Sequence, residues 1–162
     1  MENMSMPQLA NLPDSKFIMT YLTQPEDANP AGTFHAGNLM KLIDNAAGVA
    51  TMRFCRSECV TATVDRIDFI EPIYIGEMLT LKCAVNHVGG KSMEIGTRVE
   101  AENLVNGQVR HVARAYITYV PLDSNHKPSA PPPLALYSQN DIRRHQQAAR
   151  RYQANKERRG KV

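Results

Sequence analysis

One stretch of about eighteen residues beginning at Gly37 carries helical periodicity, whereas the segments that follow it alternate apolar and polar residues two by two. Within it Leu39, Ile43, Ala46, Ala50 and Phe54 recur at three- and four-residue spacing, which places them on one stripe of a helix. A helix with a single apolar stripe must lie on something apolar. The alternating segments provide it, because every second side chain of a strand points to the same face of a sheet.

Those segments can be traced in order. Phe17 to Leu22 reads as a short strand before the helix. After the helix, Val60, Ala62 and Val64 alternate with threonines and Asp65, and near Arg66 the phase slips so that Ile67 and Phe69 take over the apolar side, which predicts a bulge. Leu79, Leu81, Cys83 and Val85 line one face of the next strand, and Gly89-Gly90 turns the chain. Met93, Ile95, Thr97, Val99 and Ala101 line the strand after that. Asn106-Gly107 starts the last hairpin, and Val109, His111, Ala113, Ala115, Ile117 and Tyr119 complete a long strand. One helix layer on one antiparallel sheet is an α+β architecture.

Past Pro121 the pattern changes. The run SAPPPL holds the chain extended, so Pro121 to Tyr137 reads as a linker wrapped over the domain. From about 139 to 158 the sequence is rich in helix formers, with Asp141 near the start and arginines towards the end. The predicted division is a domain at 1–122 and a Pro-rich linker with a basic C-terminal helix at 123–162. Charge follows it: residues 1–140 hold eleven Lys/Arg against fourteen Asp/Glu, and residues 141–162 hold eight against two. A basic tail suits either a solvated helix or a polyanionic partner. Nucleic acid is the lesser expectation, because only Tyr152 interleaves with the tail's cations.

At 162 residues the chain suits one core. No apolar run approaches the ~18 residues that cross a membrane, and the N-terminal residues lack a leader's basic-then-apolar pattern, so a cytoplasmic location is expected. Cys55, Cys59 and Cys83 form neither a disulfide framework nor a complete zinc ligand set, so no metal is expected.

Asp44 stands at the edge of the helical stripe beside Met40, Ala47, Gly48 and Thr51. It is either a half-exposed helix residue, free or paired with Lys41, or a carboxylate beside which Ala47 and Gly48 leave room for a substrate. In the second case the preceding loop, with Asn29 and His35, supplies donors at the positive end of the helix, and Asn29 and Asp44 face one cleft.

The stretch ANPAGTFHAGNLMKLIDNAAG, followed by VTATVDRIDFIEPIYIGE and GGKSMEI, resembles the acyl-CoA thioesterases of the hotdog fold, in particular the cytosolic long-chain acyl-CoA hydrolase group. The resemblance runs from about Phe17 to Val120. It has two departures: the family's His-Gly-Gly reads His35-Ala36-Gly37, and its helical Asp-Glu reads Asp44-Asn45. It implies a curved antiparallel sheet wrapped around one central helix and hydrolysis of fatty acyl-CoA, with no cofactor beyond the coenzyme A of the substrate.

Thioester hydrolysis needs an attacking group, donors for the charge on the carbonyl oxygen and a grip on the leaving group. Asp44 is the candidate base or nucleophile, and Asn29 the candidate for orienting water or holding the carbonyl. Backbone N–H groups at Ala36 and Gly37 are the candidate oxyanion donors, with His35 in support. For coenzyme A the candidates are the turn residues Gly90, Lys91 and Ser92, which match the family's Gly-x-Thr/Ser-Ser-Met element, with Arg66 or tail arginines adding charge. The resemblance further implies that Asp44 of one subunit meets Asn29 of another, in a dimer as the minimal active unit, and a trimer of such dimers. Two other readings remain open at this point. One is a hotdog hydratase or dehydratase using His35, and the other is a non-catalytic acyl-CoA or nucleic-acid binding module.

Overall fold

A computed structural model describes residues 14–159. The N-terminal residues read for a leader, the last positions of the basic run (160–162) and the side chains of Arg158 and Arg159 lie outside that description.

Five strands form one antiparallel sheet: β1 (Lys16–Leu22), β2 (Cys59–Phe69), β3 (Met78–Val88), β4 (Met93–Glu102) and β5 (Val109–Pro121). Their spatial order is β1-β3-β4-β5-β2. The long helix α1 (Ala36–Cys55) lies on one face, and a second helix, α2 (Gln139–Arg159), packs against β3 from elsewhere in the chain. This is the predicted α+β hotdog arrangement.

Registers explain why the sheet has an apolar face. Leu79, Leu81, Cys83 and Val85 stand opposite Ala101, Val99, Thr97 and Ile95. Met93, Ile95, Thr97 and Val99 in turn face Tyr119, Ile117, Ala115 and Ala113. The inward phase of three strands is therefore aligned in rows, and Leu39, Ile43, Ala46, Ala50 and Phe54 of α1 are buried against it. Each fully buried Leu, Ile or Phe contributes roughly 1.5–3 kcal/mol of transfer free energy, so this stripe fixes the helix on the sheet.

Both ends of α1 are defined locally. His35 is the N-cap, with its Nδ1 accepting the Gly37 N–H at 2.9 Å. A Cβ at position 37 would lie 3.0 Å from that nitrogen, so the glycine of His35-Ala36-Gly37 is what lets the ring fold over the first turn. At the other end Arg56 takes a left-handed conformation and returns its N–H to Met52 O at 2.8 Å.

The expected slip in β2 is present, and there are two. The pairing with β5 shifts between Thr61 and Thr63 and again between Val64 and Arg66. Each inserts one extra residue into β2 relative to β5, Ala62 and Asp65 in turn, and re-aims the strand.

The helix α2 begins as the residue pattern predicts. Ser138 Oγ accepts the Asp141 N–H at 3.1 Å and Asp141 Oδ2 accepts the Ser138 N–H at 3.0 Å, a reciprocal cap. One face of it is packed: Arg151 pairs with Glu94 of β4 and lies 3.8 Å over the Tyr116 ring, Ala148 is fully buried, and Tyr152 lies against Gly89. The other face, with Arg143 and Arg150, is exposed, so the helix covers the outer face of β3 and β4 and keeps part of its charge in solvent.

Candidate functional site

Asp44 sits midway along α1, and in the single chain its residue surface is exposed. Among the described residues' ion pairs there is none between it and Lys41. Two hydroxyls hold it instead: Thr61 Oγ1 of β2 donates to Asp44 Oδ1 at 2.8 Å, and Tyr119 Oη of β5 donates to the same oxygen at 2.7 Å. The phenol oxygen is also 2.9 Å from the Asp44 carbonyl. Tyr119 is only 2% exposed, and burial first, then the neighbouring carboxylate, push its ionisation well above the ordinary phenol range, with Thr61 acting the other way. It is therefore a neutral donor at any working pH.

The space that the sequence reserved for substrate beside Asp44 is filled differently. Ala47 is fully buried in the core. The Tyr119 hydroxyl lies beside Gly48, 3.8 Å from where a Cβ would stand, an ordinary contact distance.

The loop before α1 is built around Asp27, a buried carboxylate that the sequence reading passed over. It accepts from Tyr21 Oη at 2.8 Å, from the Gln24 N–H at 2.9 Å and from Asn38 Nδ2 at 3.3 Å. On this base the segment 29–33 closes on itself. Asn29 Oδ1 accepts the Ala31 and Thr33 N–H groups at 2.9 and 3.2 Å, and its Nδ2 donates to Thr33 Oγ1 at 3.0 Å. Gly32, at φ +80, makes the turn that brings Thr33 back. Asn29 thus shapes its own loop and keeps one amide hydrogen beyond that network.

At the helix start the two expected donors part company. The Gly37 N–H is given to His35 Nδ1, whereas the Ala36 N–H has no acceptor among the described residues. Ala36 also lines a cavity of about 340 Å³, together with Asn29, Thr33, Phe34 and the 69–73 segment. The loop Asn and the first helical residue therefore line one depression.

Asp44 is not part of it. Eight residues separate Ala36 from Asp44, which is about 12 Å along a helix axis, more than two hydrogen-bonding groups acting on one carbonyl can span. Within one chain, Asn29 and Asp44 do not face a common cleft.

The coenzyme A candidates are likewise split. Gly90 and Lys91 are exposed at the tip of the β3–β4 turn, and Ser92 Oγ lies 3.2 Å from Tyr152 Oη. Met93, the next residue, stands opposite Tyr119, which stands opposite Thr61, so this turn is at the same end of the sheet as the Asp44 cluster. Arg66 belongs to a different row, opposite Tyr116, and donates to Asp68 at 2.8 Å beside Arg114. It is already paired with a carboxylate.

Thr61 and Tyr119 are the site residues that sequence reading missed. A threonine in an alternating strand is unremarked, but a tyrosine in the apolar phase of a strand needs a partner for its hydroxyl, and that was the available signal.

With this geometry in hand, comparison with known proteins is direct. Residues 31–108 match the Thioesterase superfamily. An uncharacterized acyl-CoA thioester hydrolase of Bacillus subtilis (strain 168), YkhA, is 35% identical over 155 residues, 96% of this chain and 90% of that protein. An apo-hexameric acyl-CoA thioesterase superposes with a TM-score of 0.85 at 31% identity, over 88% of this chain and 92% of that one. The acyl-CoA hydrolase of Staphylococcus aureus, solved with butyryl coenzyme A, coenzyme A and coenzyme A disulfide, gives 0.85 at 29% identity, over 90% and 89%. That hydrolase has also been solved with single Asp, Asn and Thr residues replaced by Ala.

Proposed function

We infer that this chain, which belongs to the acyl-CoA thioester hydrolases of the Thioesterase superfamily, cleaves fatty acyl-CoA at a site assembled between two copies of itself. The observation that carries the shared site is the separation just described. One chain presents Asn29 and the Ala36 N–H in one depression and Asp44 about 12 Å away, on a different part of the same helix.

A second copy is supported by the edge of the sheet. Among the described residues β2 has β5 on one side and no strand on the other, and it exposes Val60, Val64 and Phe69. Met40 and Met52 of α1, on the helix that carries Asp44, are exposed too. An unpaired apolar edge is a template for strand addition, and a two-fold axis beside it gives the same patch to both partners. Homo-oligomerisation accords with the hexameric relative. The dimer as minimal active unit, and three such dimers in a hexamer, belong to this proposal.

In the proposed reaction the thioester carbonyl lies against the Ala36 N–H of one copy, with Asn29 beside it. Asp44 of the other copy takes a proton from water as the water oxygen attacks the carbonyl carbon. The C–S bond then breaks, and coenzyme A leaves as the thiol with a proton returned to sulfur. His35 fixes the first helical turn by capping Gly37 and does not itself meet the substrate. In this reading Lys91 and Ser92 receive the pantetheine or phosphate portion, which is supported by their position at the Asp44 end of the sheet, and Arg66 acts only through the Asp68 cluster. The residues altered in the S. aureus hydrolase support the assignment of Asn29, Asp44 and Thr61, because each stands one place earlier in that protein's own numbering.

The test is thiol release from acyl-CoAs of increasing chain length, with Asp44→Ala and Asn29→Ala measured beside the parent. Both variants should lose at least about a hundredfold in kcat, the typical contribution of a positioned base or oxyanion donor. Parental rates in Asp44→Ala would refute the assignment.

A further inference from the structure

Thr61 and Tyr119 both aim at Oδ1 of Asp44, and neither aims at Oδ2. A carboxylate held by two hydroxyls on one oxygen cannot rotate freely about its Cβ–Cγ bond, so the second oxygen is presented in one direction. We propose that Tyr119 is a positioning residue for the hydrolysis: its phenol fixes the Asp44 carboxylate so that Oδ2 is the oxygen that receives the proton from water. The inference rests on the reading that Asp44 drives the attack.

Two observations separate this role from simple satisfaction of a buried hydroxyl. First, the phenol has a single proton and two oxygens within reach, the Asp44 carbonyl at 2.9 Å and Oδ1 at 2.7 Å. The carbonyl belongs to the middle of α1, where it already accepts a helical N–H, whereas the carboxylate is charged and a hydrogen bond to it is stronger and shorter. The proton therefore belongs to Oδ1.

Second, the ring is locked. Tyr119 is among the largest fully buried side chains, and its register partner on β4 is Met93, itself fully buried. A donor on such a ring returns to the same point after each turnover, while Thr61 on the edge strand β2 is exposed and less constrained.

The experiment compares Tyr119→Phe, Tyr119 replaced by 4-aminophenylalanine, Asp44→Ala and the Tyr119→Phe/Asp44→Ala double variant, all as full chains with one acyl-CoA substrate. Tyr119→Phe is expected to lower kcat about tenfold, the effect of one lost charge-assisted hydrogen bond on a positioned group, with KM unchanged within twofold. The 4-amino group, which keeps an N–H donor at the same point, should restore most of that loss. In the Asp44→Ala background Tyr119→Phe should leave the residual rate unchanged, since nothing remains to position.

If Asp44→Ala is inactive while Tyr119→Phe keeps the parental kcat, the positioning role is refuted and the assignment of Asp44 stands. The role is equally refuted if Tyr119→Phe lowers the residual rate of Asp44→Ala by the same factor, because the effect would then be on packing. Should Tyr119→Phe fail to fold, the 4-aminophenylalanine protein decides: a kcat near parental supports the role, and a tenfold loss contradicts it. Parental activity in Asp44→Ala is the separate outcome that removes the premise.

Discussion

Glu94 of β4 and Arg151 of α2 form a two-bonded ion pair, with Nε to Oε2 at 2.9 Å and Nη2 to Oε1 at 2.7 Å, and the Glu94 side chain is only 3% exposed. Removing one partner of a buried pair strands the other charge, whereas a fully exposed pair contributes almost nothing; Arg151 is partly exposed, so this pair lies between those limits. Arg151→Ala is expected to destabilise the protein by roughly 2 kcal/mol. Chemical denaturation should show it, and hydrogen exchange should place the loss in α2 and the β3–β4 hairpin.

Gly89 and Tyr152 make a second, independent lock on the same helix. A Cβ at position 89 would run into the Tyr152 hydroxyl and ring, closer than real Cβ contacts come. Gly89→Ala should therefore loosen α2 and lose the Ser92–Tyr152 contact, seen as faster proteolysis between the sheet and the helix. In a Tyr152→Ala background the same substitution should cost little, because the obstructing ring is gone.

Acid should weaken α2 through Asp141. Burial raises its pKa, but the Lys16 ammonium, the Ser138 cap and Arg144 outweigh burial and hold it down at about 2, below the ordinary 3.8. A carboxyl depressed on folding contributes its stabilisation above the unfolded pKa and loses it as pH falls through the folded one. Stability is thus expected to decline between about pH 4 and pH 2, and Asp141→Asn should flatten that part of the curve. Thermal denaturation across the range checks it.

Thr61→Val removes one of the two donors to Asp44 and leaves the other. A loss of roughly 1 kcal/mol of transition-state stabilisation, about fivefold in kcat, is expected, with the fold intact because Thr61 is exposed. Steady-state kinetics beside circular dichroism separates the two effects.

Much of this arrangement could be read from residue order. The stripe Leu39, Ile43, Ala46, Ala50, Phe54 is buried as spaced, and the inward rows of β3 and β4, and of β5 from Ala113 to Tyr119, are those that alternation picked out; before Ala113 a register shift against β4 changes the phase, so that Val112 is buried and Val109 is exposed. What escaped were contacts between elements far apart in sequence. Thr61 and Tyr119 are 17 and 75 residues from Asp44 and meet it only because α1 crosses β2 and β5. The tail's cations read as a solvated or anion-seeking run, since nothing local reveals that Glu94, in the outward phase of β4, waits under Arg151. Asp27 drew no attention in the sequence, and it is buried with the Tyr21 hydroxyl of β1 donating to it. Periodicity reports which face a side chain occupies, and it is silent on what arrives to cover that face.

The central claim is that the reacting groups come from two copies, and co-expression of Asp44→Ala with Asn29→Ala subunits tests it most directly. Each variant alone should be inactive. With random pairing of equal amounts, half of the dimers are mixed and each of these holds one intact site, so about a quarter of the parental activity should return. Mixed assemblies, verified by differential tagging, that remain as inactive as either variant alone would contradict a site shared between subunits.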